Sequence, residues 1–287
     1  MTKIRSVLVT GAGGYIGRHV VKALLDLGIE VSAIDNKTED IDFRANKIEY
    51  NIFSNRENIY EDLGKPDVCL HLAWRDGFIH NSESHMQNLY SHYNFLRKMV
   101  DGGLKHVVVM GTMHEIGYFE GEIDENTPTN PHSLYGIAKN SLRQALQVFL
   151  KDKDVIFQWL RAFYIYGDDI KSNSIFSKII RAEQDGMEWF PFTSGKNKYD
   201  FITVEDLAKQ IALCSIQNEV TGIINCCSGK PVPLGDVVEK FIKKNGFRIK
   251  LKYGVYPDRT YDSPAIWGNN EKIEKVLNRV YEESFKY

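Results

Sequence analysis

Apolar residues along this chain fall into two recurring patterns. Short, nearly unbroken runs read as buried strands, and longer stretches with apolar positions three and four apart read as helices. Strands are predicted at 6–10, 30–35, 67–73, 106–111 and 156–161, and helices at 14–27, 83–102 and 133–150. Gly28 stands where the first helix should stop, and Ser133 where the third should be capped. Elements alternating in this way predict an α/β fold, a doubly wound parallel sheet with helices on both faces. Beyond about residue 165 the alternation loosens into a helical stretch at 176–186, an aromatic cluster at 189–192, a strand at 199–204 and a buried strand at 221–227. The pattern predicts a larger lobe of residues 1–167 with 199–227, and a smaller α/β lobe of 168–198 with 228–287.

Composition narrows the class of partner. Among 287 residues, 36 Lys and Arg balance 38 Asp and Glu, and no long run carries one sign. A nucleic-acid face or a polybasic membrane patch is therefore not expected. The apolar run at 7–9 breaks at Gly11, too short for a signal segment, and nowhere do some 18 apolar residues run together. Cys69, Cys214, Cys226 and Cys227 lie in apolar surroundings without metal-ligand spacing, so reduced thiols and a cytoplasmic location are expected, with no metal.

The first chemical signal follows the first strand. Gly11-Ala12-Gly13-Gly14-Tyr15-Ile16-Gly17 opens the first helix, with glycines serving a tight turn, close approach of a pyrophosphate, and close helix–strand packing. Asp35-Asn36 ends the next strand, eighteen residues past Gly17, where a carboxylate can accept bonds from an adenosine ribose. Strand, turn, helix and acid together point to a dinucleotide in a Rossmann domain. The Asp35 carboxylate repels a 2′-phosphate and favours NAD(H), while Lys37 nearby keeps NADP(H) open.

A second signal lies on the third helix. Tyr135 and Lys139 are one turn apart and share a face. A phenol titrates near 10 in water, so a nearby positive charge is needed before it can exchange protons readily near neutrality. Tyr135 then serves as general acid when a ketone is reduced and as general base when an alcohol is oxidised. Thr112, at the carboxyl end of the preceding strand, could hydrogen-bond the reacting oxygen.

These motifs resemble the extended short-chain dehydrogenase/reductases, the NAD-dependent epimerase/dehydratase group acting on nucleotide-linked sugars. The likeness spans nearly the whole chain, from the glycine motif through His71-Leu72-Ala73, Thr112 and Tyr135/Lys139 to the segments 160–167 and 199–206. It implies catalysis by Thr112, Tyr135 and Lys139, and cofactor contacts from Gly11, Gly13, Gly14, Tyr15, Ile16, Gly17, Asp35, Asn36, Asn51, Ile52, Leu72, Ala73, Trp74, Tyr135, Lys139 and Phe163. Asn51 replaces a frequent Asp, and its amide oxygen can still accept a bond from adenine. Substrate contacts are expected from Thr112, His114, Tyr164, Phe192, Lys198, Tyr199 and Arg259.

Departures from the family pattern narrow the reaction. Met113-His114 stands where sugar-nucleotide 4,6-dehydratases carry an Asp-Glu pair, and a thioether cannot donate a proton, which argues against dehydration. Tyr164 and Tyr199 replace a common Asn and Arg near the substrate diphosphate, a charge that Lys198 and Arg259 could supply. The segment 111–128 most resembles 4-keto-6-deoxyhexose reductases that make dTDP-linked deoxysugars. The implied reaction is NAD(P)H-dependent reduction of the C4 ketone of a nucleotide-linked, dTDP-type 4-keto-6-deoxyhexose. A 4-epimerase with retained NAD uses the same three residues, and a non-catalytic dinucleotide-binding sensor or scaffold is the alternative of another class. The resemblance also implies a homodimer through the helices at 83–102 and 133–150.

Overall fold

Strands buried on both faces need no polar alternation, and the first is Ser6–Thr10, apolar through Val7, Leu8 and Val9. The computed structural model describes residues 4–54, 56–167, 174–258 and 262–284, the last five by backbone alone. Its elements in chain order are β1 Ser6–Thr10, α1 Tyr15–Asp26, β2 Glu30–Asp35, β3 Asn46–Glu49, α2 Ile59–Asp62, β4 Val68–His71, α3 Ser84–Asp101 and β5 His106–Thr112. These are followed by β6 Gly121–Ile123, α4 Leu134–Leu150, β7 Ile156–Ala162, β8 Tyr164–Tyr166, α5 Ile175–Gln184, β9 Trp189–Pro191 and β10 Lys198–Thr203. The chain closes with α6 Val204–Ser215, β11 Gly222–Cys226, β12 Pro231–Pro233, α7 Leu234–Lys244, β13 Lys250–Lys252, β14 Ala265–Gly268 and α8 Glu271–Ser284.

Seven parallel strands form the main sheet in the order β11-β7-β5-β4-β1-β2-β3. One face buries Val20, Val21 and Leu24 of α1 with Leu207 and Ile211 of α6, and Ile273 of α8. The opposite face buries Phe95, Leu96 and Met99 of α3 with Leu142 and Leu146 of α4. Strand order reverses between β1 and β4, and a doubly wound sheet opens a crevice at the carboxyl ends there.

The smaller lobe holds a second sheet of order β12-β10-β14-β6, with β8 beside β10, and a parallel pair β9/β13. Helices α5 and α7 close over it through Phe176, Ile179, Val238 and Phe241. Three segments expected in the larger lobe, β6, β8 and β10, contribute to this second sheet: β10 pairs with β8, β12 and β14, and β6 pairs with β14. Pairing between strands so distant in sequence leaves no local pattern. Among the described residues no helix is long and apolar enough to cross a membrane.

Candidate active site

The carboxyl ends of the main sheet open into a cleft of about 1080 Å³ that runs from the glycine turn to the smaller lobe. At its dinucleotide end, Gly11 has φ 70°, and a Cβ there would meet the Ala73 nitrogen at 2.6 Å. Gly17 is tighter still, because a Cβ would lie 2.0 Å from the Gly11 carbonyl oxygen. Glycine at both positions lets α1 begin directly against β1 and β4, its first turn without a side-chain cap. Backbone N–H groups at such a helix start suit a diphosphate. Asp35 lines the cleft; its Oδ2 accepts the Gly13 N–H at 2.9 Å and its Oδ1 the Asn36 N–H at 2.7 Å. The carboxylate keeps lone pairs for a ribose, and these residues fit NAD.

Of the expected cofactor residues, Gly11, Gly14, Tyr15, Ile16, Gly17, Asp35, Asn36, Asn51, Ile52, Leu72, Ala73, Trp74, Tyr135, Lys139 and Phe163 all line this cleft. Gly13 sits just behind, occupied with Asp35.

The reactive end is assembled by β5 and α4. Ser133 caps α4 by accepting the Gly136 N–H at 3.2 Å, which sets the register that brings Tyr135 and Lys139 to the cleft. The Tyr135 phenol faces the Thr112 hydroxyl. Burial pushes that phenol up to about 12, against the pull of the Thr112 hydroxyl. Lys139 is 2% exposed, donates to the Met110 carbonyl at 2.7 Å and lies 3.9 Å from the Trp74 ring centroid. Its desolvation drops the ammonium to about 7. The ring and the carbonyl replace part of the water the cation has lost.

The resemblance of segment 111–128 implies that Glu115 flanks the sugar with His114, but the structure buries this carboxylate beneath Thr112, outside the cleft lining. Glu115 is fully buried, accepts the Thr112 N–H at 2.8 Å and takes the Trp159 indole N–H at 2.9 Å. Arg143 Nε and Arg161 Nη2 flank it at 3.7 Å, so its charge is compensated. The three-residue spacing of Thr112 and Glu115, that of a capping box, is the signal for this inward setting.

The substrate end is mostly aromatic. Tyr164 and Tyr199 stand with ring centroids 4.4 Å apart and both line the cleft, as do Phe176 and Phe201. His114 lines it too, 4.4 Å from His80, and burial beside that second ring pushes its imidazole down to about 3. The loop at 75–80 was not anticipated. It brings Arg75, Phe78, Ile79 and His80 to the cleft, and its last carbonyl accepts the Tyr135 N–H at 2.8 Å. Two expected substrate residues lie elsewhere. Phe192 is 2% exposed inside the smaller lobe's core, edge-on to Tyr253, and Lys198 is exposed on β10 outside the cleft lining. Arg259 falls outside the described residues.

Comparison with known proteins places this geometry in context. A family model described as the NAD dependent epimerase/dehydratase family matches residues 7–227. A dTDP-6-deoxy-L-talose 4-dehydrogenase (NAD(+)) of Aggregatibacter actinomycetemcomitans is 47% identical, covering 92% of this chain and 99% of that one. UDP-arabinose 4-epimerase 1 of Arabidopsis thaliana is 27% identical over 96% of this chain and 75% of its own. Among solved structures, a UDP-N-acetylglucosamine 4-epimerase from Methanobrevibacter ruminantium M1 superposes with a TM-score of 0.82 at 23% identity, covering 96% of this chain and 92% of that one. That likeness concerns the fold. With the glycine turn, the Tyr/Lys helix and a match over most of its length, the chain is an NAD-dependent enzyme and belongs to the NAD dependent epimerase/dehydratase family.

Proposed function

We propose that this enzyme reduces the C4 ketone of a nucleotide-linked, dTDP-type 4-keto-6-deoxyhexose, with NADH as the reductant. The carrying observation is the convergence of Thr112, Tyr135 and Lys139 at the reactive end of the cleft whose other end fits NAD. The buried Tyr135 phenol is protonated at neutral pH and can serve as the general acid of a reduction. Bound NADH would supply the hydride that adds to the carbonyl carbon. Tyr135 then gives its proton to the carbonyl oxygen, and Thr112, facing that phenol, holds the same oxygen. Lys139, one helical turn along and lining the same cleft, stabilises the phenolate left behind when it is protonated. Asp35 selects NADH over NADPH by repelling a 2′-phosphate.

The aromatic and apolar character of the substrate end suits a sugar whose C5 carries a methyl group. The 47% identical dTDP-6-deoxy-L-talose 4-dehydrogenase supports the same substrate class, its named reaction being the reverse direction. A 4-epimerase reading is supported by the 27% identical UDP-arabinose 4-epimerase and serves as the opposing outcome of the test. The experiment follows nicotinamide absorbance after mixing protein, NADH or NADPH, and a dTDP-4-keto-6-deoxyhexose. Loss of absorbance equal to the ketone consumed is expected, faster with NADH. Cofactor that co-purifies and stays bound while hexoses interconvert at C4 would replace the reductase reading with the epimerase one.

A homodimer through α3 and α4 is part of this proposal. Met86, Tyr90, Ile137 and Val148 on these helices are exposed apolar residues, and light scattering at twice the 33.0 kDa chain mass is the expected result. The buried free thiols suit a reducing compartment, and the cytoplasm is the proposed one.

A further inference from the structure

Three polar side chains with no assigned role form a buried line behind the glycine turn. Thr10 ends β1, His71 ends β4 and His92 lies on α3; the first two are fully buried and the third is 2% exposed. Thr10 Oγ1 is 2.9 Å from His71 Nδ1, and His71 Nε2 is 2.9 Å from His92 Nδ1. Burial drives His71 down to about 3 and His92 well below its ordinary value, so both rings are neutral and each carries one proton.

The hydroxyl at the start of the line fixes where those protons sit. Thr10 Oγ1 already accepts the Ala73 N–H at 3.3 Å, and it has one proton to give. Among the described residues, His71 Nδ1 is the acceptor within its reach. His71 therefore keeps its own proton on Nε2 and donates it to His92 Nδ1. That leaves the His92 proton on Nε2. The reverse polarity would leave the Thr10 proton unpaired in a fully buried place, which native structures avoid.

His92 Nε2 has no hydrogen-bond partner among the described residues, yet it is not one of the occluded, unsatisfied polar atoms, and its ring lines the cleft. Its position is defined from both sides. Phe53, next to the adenine-end residues Asn51 and Ile52, meets the ring edge-on at 4.9 Å, while Trp74, which carries Lys139 on its indole, stacks on it at 4.4 Å. Asn88, one helical turn earlier on α3, lines the same wall. NAD bound between the adenine end and the reactive end would bring its ribose–diphosphate part, rich in oxygen acceptors, past this wall.

We infer that His92 is a cofactor-binding residue: its Nε2–H donates to an oxygen of the ribose–diphosphate part of NAD, and Thr10 fixes that polarity through His71. The line links the glycine turn to the opposite wall of the site, so both grip the cofactor as one hydrogen-bonded unit.

The inference rests on dinucleotide binding and not on the identity of the sugar, so it is tested without substrate. NADH and ADP-ribose affinities are measured by titration in the parent protein and in His92→Phe, Thr10→Val, Thr10→Ser and the Thr10→Val/His92→Phe double variant. His92→Phe is expected to weaken NADH and ADP-ribose alike, about tenfold, as for one lost hydrogen bond to a charged or polar oxygen. Thr10→Val should weaken both several-fold, Thr10→Ser should restore them, and the double variant should bind no worse than His92→Phe. Affinities of His92→Phe within twofold of the parent, or a loss confined to NADH, would overturn the inference. Nitrogen-15 spectra of the histidine-labelled parent protein keep the test open if a variant does not fold. His71 and His92 are expected as Nε2–H tautomers, with the His92 Nε2 signal moving when ADP-ribose is added; a proton on His92 Nδ1, or no movement, counts against the proposal.

Discussion

At the scale of single residues the site is governed by desolvation. Tyr135 and Lys139 are both taken from water, and burial moves their proton affinities in opposite directions, up to about 12 for the phenol and down to about 7 for the ammonium. Tyr135→Phe keeps the ring and removes the proton donor. Turnover should fall by about three orders of magnitude, while NADH affinity changes less than twofold in a fluorescence titration. A variant that keeps most of its turnover would mean another group protonates the product. Lys139 makes a separate prediction about stability. Its folded value lies below the ordinary 10.5, so between about 7 and 10.5 the folded chain binds fewer protons than the unfolded one. The penalty of burying the charge is complete below about pH 7 and fades as pH rises toward 10.5. Lys139→Met should therefore raise Tm relative to the parent by several degrees at pH 6 and by little at pH 10, even as catalysis is lost. A Tm difference that grows with pH would refute this account.

At the scale of elements, how much could be read from the chain depended on whether the constraint was local. The strands of the main sheet were legible because β1, β4 and β5 are buried on both faces and carry continuous apolar runs, and the first turn was legible because Gly14 and Gly17 press on the Gly11 carbonyl a few residues away, although Gly11 itself answers to Ala73 beyond β4. The edge strand β3, Asn46–Glu49, escaped because it is largely exposed and polar. For Phe192 and Lys198, which way the side chains turn is set by β13 and by the second sheet, partners far away in sequence. The settings of the buried polar groups were hidden for the same reason: Glu115, expected beside the sugar, answers to Trp159, Arg143 and Arg161, and His92 answers to His71. Where the local constraint is strongest, substitution should be least forgiving. Gly17→Ala would press a methyl group against the Gly11 carbonyl oxygen, a backbone atom that cannot step aside. Overpacking of this kind costs about 3 kcal/mol, and because the strain falls on the turn itself, NADH affinity should drop at least tenfold. An alanine variant of unchanged Tm and unchanged NADH affinity would show that α1 can shift away from β1.

At the scale of the whole molecule, reactivity requires that two lobes with separate cores hold a fixed relation, since the cofactor residues lie on one and much of the aromatic wall on the other. A single buried carboxylate ties the crossing points together. Asp200, in β10 of the second sheet, is fully buried and accepts the Ser228 N–H and hydroxyl at 2.8 and 2.6 Å, the Gly229 N–H at 2.9 Å and the Gly268 N–H at 3.1 Å. Ser228 and Gly229 lie where the chain leaves β11 of the main sheet, and Gly268 ends β14 of the second. Asp200→Ala would strand three backbone N–H groups, at about 4 kcal/mol in all, which for a chain of this size lowers Tm by about 10 °C. The functional consequence separates the lobes. The glycine turn and Asp35 are remote from Asp200 in the chain and bonded to neither Ser228 nor Gly268, so NADH affinity should stay within about threefold of the parent. Tyr199, the residue before Asp200 and a neighbour of Tyr164 on the cleft wall, should lose its setting, so KM for the sugar nucleotide should rise at least tenfold. Calorimetry with NADH and steady-state kinetics with the sugar nucleotide measure the two effects independently. Equal losses in both would mean that the lobes act as one cooperative unit, and that no part of the cleft is positioned by the larger lobe alone.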